Sequence, residues 1–482
     1  MKSLLKLFNK MFFNYESENV KILNDDSAKY FINDPSTPDL SEPQVIPEAL
    51  NFLPYNVAGF NINGTDELSI EANNCYITIN RSLNNFNNII SQIDKPVEKW
   101  AATKNLGVNT RAGVDYNAFY DRNGLHFFYA PNAQKRMIYT AHSSDIVAHE
   151  LGHALLDSIR PDFWGTQCVE IWAFHEAFGD INAIASILEN PKMVKAILDE
   201  TNGDLIKSNS VSRLAEELGG AVNPGRRGPA YLRDASVPFV YVNPMKLPQS
   251  AAEDRLSSEC HSFSRVFTGV WYDILVEIFK QERKSMGDIE AVQHASRTAF
   301  SYLLKAVKMA PATIRFTEAV AKGMLIADGL KGEKYRSVLN YIFKSRKIIK
   351  PQIKILSATT WDDVKDKITK EDEVVNKDNI LLLKKKSKKI LKLSDHVVGS
   401  LSDSNPLFNV DIEVPADKFY QFDKNGNVVD EYVDSEDDLI KSSIFCVMQI
   451  NNRYGYGENK MWKIENNKLK RNHMVCCCEK RY

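Results

Sequence analysis

The sequence predicts an α+β protein with a β-rich N-terminal lobe, a helical lobe after it, and a C-terminal extension of mixed character. Three observations carry this. Between about Tyr55 and Tyr139 apolar residues fall in short alternating runs, as at 68–70 and 75–79. From Ser143 the pattern lengthens into capped runs of helical period. Beyond about residue 348 it shortens again into Lys-rich and strand-like segments. The expected divisions are a leader at 1–54, the β-rich lobe at 55–142, the helical lobe at 143–348 and the extension at 349–482.

The leader opens MKSLLKLFNKMFF. At 100° per residue Leu4, Leu5, Leu7, Phe8, Met11 and Phe12 share one arc and Lys2, Lys6 and Lys10 the opposite one. Residues 2–13 therefore predict a basic amphipathic helix, packed on the folded body or in peripheral contact with an anionic membrane. Its lysines interrupt any signal-peptide core, and no small-residue cleavage site follows. Pro35, Pro38, Pro43, Pro47 and Pro54 make the rest an extended linker. In the β-rich lobe a helix is expected at 88–100. The run YNAFYDRNGLHFFY at 116–129 reads as two strands around Asp121-Arg122-Asn123-Gly124, with Asn-Gly supplying a left-handed turn.

Ser143, Ser144 and Asp145 are capping residues ahead of a helix over 146–159, stopped by Pro161. A second helix is expected over 169–188. A loop marked by Gly219, Gly220, Gly225 and Gly228 follows, then helices at 262–281, 288–310, 314–327 and 333–344. In the extension, the run at 381–393 with Lys384, Lys385, Lys386, Lys388 and Lys389 reads as a solvated helix face, and 422–429 as a hairpin.

Composition excludes several classes. The 482 residues carry 61 Lys+Arg against 62 Asp+Glu, a net charge of −1, which is not the footprint of a nucleic-acid binder. Charged residues at 26% and aromatics at 10% argue against wholesale disorder. No apolar run approaches the ~18–20 residues of a transmembrane helix. The seven cysteines are an odd, scattered set (Cys75, Cys168, Cys260, Cys446 and Cys476-Cys477-Cys478), which fits a reducing, cytoplasmic address better than a disulfide framework.

The chemistry concentrates in His149-Glu150-Leu151-Gly152-His153, an H-E-x-x-H motif. Histidines at i and i+4 lie on one helix face, so both imidazoles reach one ion, while Glu150 can address a water on that ion. On the next helix Glu176 and Asp180 are again i and i+4. A catalytic zinc takes three protein ligands and keeps one position open, and Glu176 completes a His₂Glu set. Asp180, one turn on, is placed to accept the outer N–H of a ligand histidine.

With these residues the sequence resembles the thermolysin-like zinc metalloendopeptidases of the gluzincin group. Three further motifs support the likeness. Asn117-Ala118-Phe119-Tyr120 resembles the family's edge strand, which binds substrate backbone. Leu232-Arg233-Asp234-Ala235-Ser236-Val237-Pro238 resembles its L-R-x-x-x-x-P loop, and Cys260-His261-Ser262-Phe263-Ser264 its V-H-x-N-S turn. The resemblance covers about residues 55–345 and implies a two-lobed unit with zinc at the junction. It implies His149, His153 and Glu176 as ligands, Glu150 as general base and then acid, and His261 as stabiliser of the tetrahedral intermediate. Asn117, Ala118 and Arg233 would bind a peptide substrate, and Ile146 and Leu232 would line an apolar pocket for the residue after the scissile bond.

Departures matter as well. The family's Tyr between the zinc helices is replaced by Trp164 or Gln167. Its Asp before the catalytic His is Leu256 here, leaving Asp254 or Glu253 to orient His261. Asp145 matches a calcium ligand of the family, but the expected acidic partner is Ile187, and a calcium cage needs 6–8 oxygens. No inhibitory pro-domain precedes the motif. An ion pair of Arg233 with Asp234 or Glu253 is an alternative to its substrate role. A gluzincin aminopeptidase should carry Gly-x-Met-Glu-Asn where Asn117–Tyr120 stands, and a zinc-containing peptide-binding scaffold with little turnover is the reading from another class.

Overall fold

The computed structural model describes residues 29–45, 57–58, 67–93, 97, 99–349, 359–377, 380–392, 394, 405–457 and 460–474. The expected helix at 2–13, Pro47, Pro54 and the Cys476-Cys477-Cys478 run lie outside them. Helix and strand are both abundant, so the α+β class holds.

The region at 55–142 departs most from expectation. One sheet has the order β1-β2-β4-β3, from Val57–Ala58 (β1), Leu106–Asn109 (β2), Ala118–Tyr120 (β3) and Gly124–Phe127 (β4). The largest element, however, is helix α1 (Glu67–Ile90), which replaces the strands expected at 68–70 and 75–79. The helix expected at 88–100 is absent, since α1 ends at Ile90. Apolar residues at 75, 79, 83, 86 and 90 keep a helical spacing and are all buried, but asparagines of low helix propensity separate them. Those asparagines work as tethers. Asn74 accepts from Phe31 N–H and donates to Ala141 O, and Asn85 donates to Ala185 O.

The hairpin at 116–129 forms, with Ala118 opposite Phe127 and Tyr120 opposite Leu125. Its left-handed residue is Arg122 (φ 71°), not the Asn-Gly pair. Asp121 Oδ1 accepts the N–H groups of Asn123 and Gly124, each at 2.9 Å, which stabilises that turn. Gly124 is needed for another reason: a Cβ there would stand 2.7 Å from Gly107 O, blocking the parallel pairing of β2 and β4.

Six of the expected helices form after Ser143: α2 (Ser144–Ile159), α3 (Val169–Ile187), α4 (Cys260–Glu282), α5 (Asp288–Met309), α6 (Phe316–Gly329) and α7 (Arg336–Ser345). Two more, Pro191–Thr201 and Glu216–Val222, are not among those expected, and the second takes in Gly219 and Gly220 of the expected loop. All of α3 is buried, and α2 is buried from Ser144 to Asp157, so these two are the centre of the protein. They cross where glycines face each other. A Cβ on Gly152 would meet Gly179 Cα at 2.8 Å, and one on Gly179 would meet the His149 ring at 2.7 Å. No larger residue permits that approach.

Two four-stranded sheets make up the extension. Glu373–Lys377 (β5), Ile380–Lys385 (β6), Lys418–Phe422 (β9) and Val428–Tyr432 (β10) pair in the order β5-β6-β9-β10. Lys388–Lys392 (β7), Asp411–Pro415 (β8), Trp462–Glu465 (β11) and Lys468–Arg471 (β12) pair in the order β7-β8-β12-β11. Helix α8 (Glu436–Gln449) lies between β10 and β11 in sequence. The Lys-rich run is therefore strand, not a helix face. Lys384 is buried, donating to Lys308 O and pairing with Glu373, because alternation puts every second side chain of β6 inward. The expected hairpin at 422–429 forms, with Gly426 at φ 80° in its turn.

The extension is not a separate body. Leu391, Leu407, Ile412 and Trp462 join the main apolar core, and only Val364, Leu383, Tyr420, Phe422 and Val428 form a small cluster of their own. Among the described residues no helix is long and apolar enough to cross a membrane.

Candidate metal centre

The α2–α3 crossing brings three potential ligands together. His149 Nε2 lies 3.4 Å from Glu176 Oε2, and His153 Nε2 lies 3.8 Å from Glu176 Oε1. The two imidazoles meet edge-on at 89°. All three ligand atoms lie within 4.8 Å of one another, and all three side chains are buried. Ligands at ~2.0–2.2 Å from a tetrahedral ion stand ~3.4 Å apart, so the donor set and its spacing fit zinc. Among the described residues the only other such group is Glu176, Cys260 and His261, which shares Glu176 with the first.

His149 is held from behind. His149 Nδ1 is 2.9 Å from Asp180 Oδ1, fixing the ring so that Nε2 faces the site. Arg233 clamps the same carboxylate, Nε to Oδ2 at 2.8 Å and Nη2 to Oδ1 at 2.6 Å. Burial opposes the charge on Asp180, but Arg233 and His149 outweigh it and hold the carboxyl below its ordinary range. Arg233 thus pairs with Asp180. The alternative partners are engaged elsewhere, Asp234 with Ser208 and Ser236, and Glu253 with Arg226.

His261 stands on the opposite side, its Nε2 3.2 Å from Glu176 Oε2. Its orienting group is Glu259, not Glu253 or Asp254: Glu259 Oε1 lies 2.5 Å from His261 Nδ1. Glu259 also caps α4 by accepting from His261 N–H and Ser262 N–H. The helix starts two residues before 262, which makes Glu259 its cap. Burial alone would lower the His261 pKa, but Glu176, Cys260 and Glu259 reverse this and raise it well above the ordinary imidazole value. Glu176 shifts the opposite way: burial is outweighed by His261 and His153, and the carboxyl is held well below its usual range. Glu150, next to His149 on α2, is fully buried.

The remaining candidates are placed as follows. Ala118 is buried in edge strand β3, and Asn117 immediately precedes it, its carbonyl taken by Thr140. Ile146 is buried near the start of α2, and Leu232, half-buried, packs against the same core. Asp145 spends both oxygens inside the protein, on Ile146 N–H and Ser143 on one side and Ala215 N–H on the other. Ile187 is core.

The extension reaches the site by contacts that no local pattern announces. Trp164 and Gln167, at the position of the family's Tyr, face it: Trp164 Nε1 donates to Arg471 O, and Gln167 exchanges hydrogen bonds with the Glu413 backbone. A π-turn over Ile450–Tyr454 ends α8 and sets Tyr454 OH to accept from Cys260 N–H at 3.1 Å. Met474 N–H donates to Tyr120 O, on the outer edge of β3, at 2.8 Å, and His473 packs on Phe119. The chain matches no protein-family model and no curated protein.

Proposed function

We propose that the protein is a zinc-dependent metallopeptidase that hydrolyses internal peptide bonds, built on a thermolysin-like two-lobed unit with the metal between the N-terminal sheet and the helices. One observation carries this reading: His149, His153 and Glu176 converge at ligand spacing, with Glu150 on the same helix and His261 across the site. Zinc, when bound, supplies a Lewis acid that polarises both a water and the scissile carbonyl.

The chain's own groups do the rest. Glu150 takes the proton of the attacking water and returns it to the leaving amine nitrogen. His261, held by Glu259, donates from Nε2 to the carbonyl oxygen as charge builds on it. Asp180 and Arg233 keep the His149 ring in one orientation, so little reorganisation accompanies binding. The outer edge of β3, with Ala118 and Tyr120, offers backbone groups to an extended peptide. Ile146 and Leu232 favour a bulky apolar residue after the cleaved bond.

Cleavage of an internally quenched peptide library tests this. Chelator-sensitive internal cleavage, lost in Glu150→Gln with metal content retained, is the expected result. Trimming from the amino end alone would make it an aminopeptidase. One observation favours a peptide-binding scaffold instead: Met474 already occupies the Tyr120 carbonyl. Stoichiometric zinc with peptide binding and no cleavage would establish that reading.

A further inference from the structure

Arg471, the last residue of β12, comes from the extension and belongs to none of the motifs above. Its side chain is buried, at 6% exposure, and its guanidinium lies beside a pair of touching indoles, 5.6 Å from the Trp172 ring centre and 4.9 Å from that of Trp462, the two ring centres being 5.2 Å apart. Trp172 is one helical turn before Glu176 on α3. Trp164 Nε1 donates to the Arg471 carbonyl. The charge of Arg471 is felt by Glu176, Cys260 and His175.

The donors of this guanidinium are unequally used. The carbon of the guanidinium lies over both indole rings, and Nη1 contacts Met474 Sδ at 2.6 Å. Nε and Nη2 are buried and have no hydrogen-bond partner. These two N–H groups share one edge and form the fork that grips the two oxygens of a carboxylate. At three other arginines the same edge is filled by one carboxylate. Arg233 uses Nε and Nη2 on Asp180, Arg122 uses them on Asp157, and Arg111 on Glu71. An empty fork is costly, since a buried charged donor without a partner forfeits the hydrogen bonds water gave it.

We propose that the Nε/Nη2 edge of Arg471 is the receptor for a carboxylate of the peptide substrate, beside the metal ligands. The proposal rests on the peptidase reading and names its substrate class: peptides carrying a carboxylate close to the cleaved bond. That carboxylate is either the free C-terminus of a short peptide or an Asp or Glu side chain, and both present the same two oxygens to the fork. The extension, on this account, supplies a specificity group to a site whose chemistry comes from α2, α3 and α4.

The test measures binding without turnover. The full-length chain, stripped of metal with a chelator, is titrated calorimetrically with three forms of one apolar peptide: free acid, C-terminal amide, and amide with one residue changed to Glu. The neutral amide should bind about tenfold or more weaker than at least one carboxylate form. A preference for the free acid alone assigns the receptor to the peptide end, and a preference for the Glu amide assigns it to a side chain. Arg471→Met should erase the difference, and Arg471→Lys, which keeps the charge on the indoles but lacks the fork, should retain only part of it. Equal binding of all three forms to the wild-type chain, or of none, overturns the proposal without reliance on a variant's folding. A preference undiminished in a folded Arg471→Met chain overturns it too. The outcome is separable from that of the peptidase reading: cleavage without carboxylate preference removes the receptor alone, and carboxylate preference without cleavage removes only the turnover.

Discussion

Two walls of charged side chains, one built by the helices and one by the extension, differ in how their charges are settled. On the wall built by α2, α3 and α4, Arg233 grips Asp180, Asp180 holds His149, and Glu259 holds His261. On the wall built by the extension, Arg471 is held by ring faces while its fork stays empty. A fully paired wall is arranged in advance for something constant, such as a metal ion. A wall with an open fork is arranged for something that comes and goes. The contrast separates chemistry from recognition within one cavity.

The sharpest way to break that comparison is at Glu150. Glu150→Gln should lower turnover about 10²–10⁴-fold while zinc stoichiometry, measured by atomic absorption, stays near that of the wild type. Loss of zinc together with activity would place Glu150 among the ligands. Next comes the support of His149. Asp180→Asn should weaken zinc binding about 10–100-fold in competition with a chromogenic chelator, with less effect on KM than on metal retention. At the helix crossing, Gly179→Ala drives a methyl into the His149 ring and should cost about 1–3 kcal/mol in denaturant unfolding, with zinc affinity falling in parallel. Unchanged zinc affinity would mean that the two helices part without disturbing the ligands.

The smallest effect lies where α3 meets the extension. Glu170 lines a 460 Å³ cavity there with Tyr241, Arg315 and Asp434. Burial pushes its carboxyl up to about 7, against the hydrogen bonds it accepts from Tyr241 OH and Thr317 N–H. The unfolded chain ionises this group first, near pH ~4.3, so its contribution to stability is present below that pH and is lost as pH rises to about 7. Glu170→Gln should therefore abolish roughly 2 kcal/mol of the decline in unfolding free energy between about pH 5 and pH 7. A decline as steep in the variant would assign the pH dependence elsewhere.

What the sequence revealed and what it hid follow from the same physics. The helices carrying His149, His153, Glu176 and Asp180 were legible because i and i+4 spacing is a local rule, and α4 to α7 showed clean helical periods. Helix α1 was hidden by its own asparagines, whose low propensity masked an apolar spacing that tertiary hydrogen bonds make worthwhile. Glu259 went unnoticed because the start of α4 was placed two residues late, and Glu is an uncommon cap. Arg471 left no local signal. Its role depends on pairing between β8 and β12 and on contact with Trp172, both of which join residues far apart in the chain.

The hydrogen bond from Met474 to Tyr120 also has a consequence for the order of synthesis. The metal ligands are all translated by Glu176, and His261 follows, yet the edge of β3 gains its partner only when residue 474 has been made. A ribosome-bound chain therefore carries a complete ligand set with the strand edge uncovered and no Arg471 beside it. A metal captured during translation would therefore meet this half-walled intermediate, before the last strand of the extension pairs.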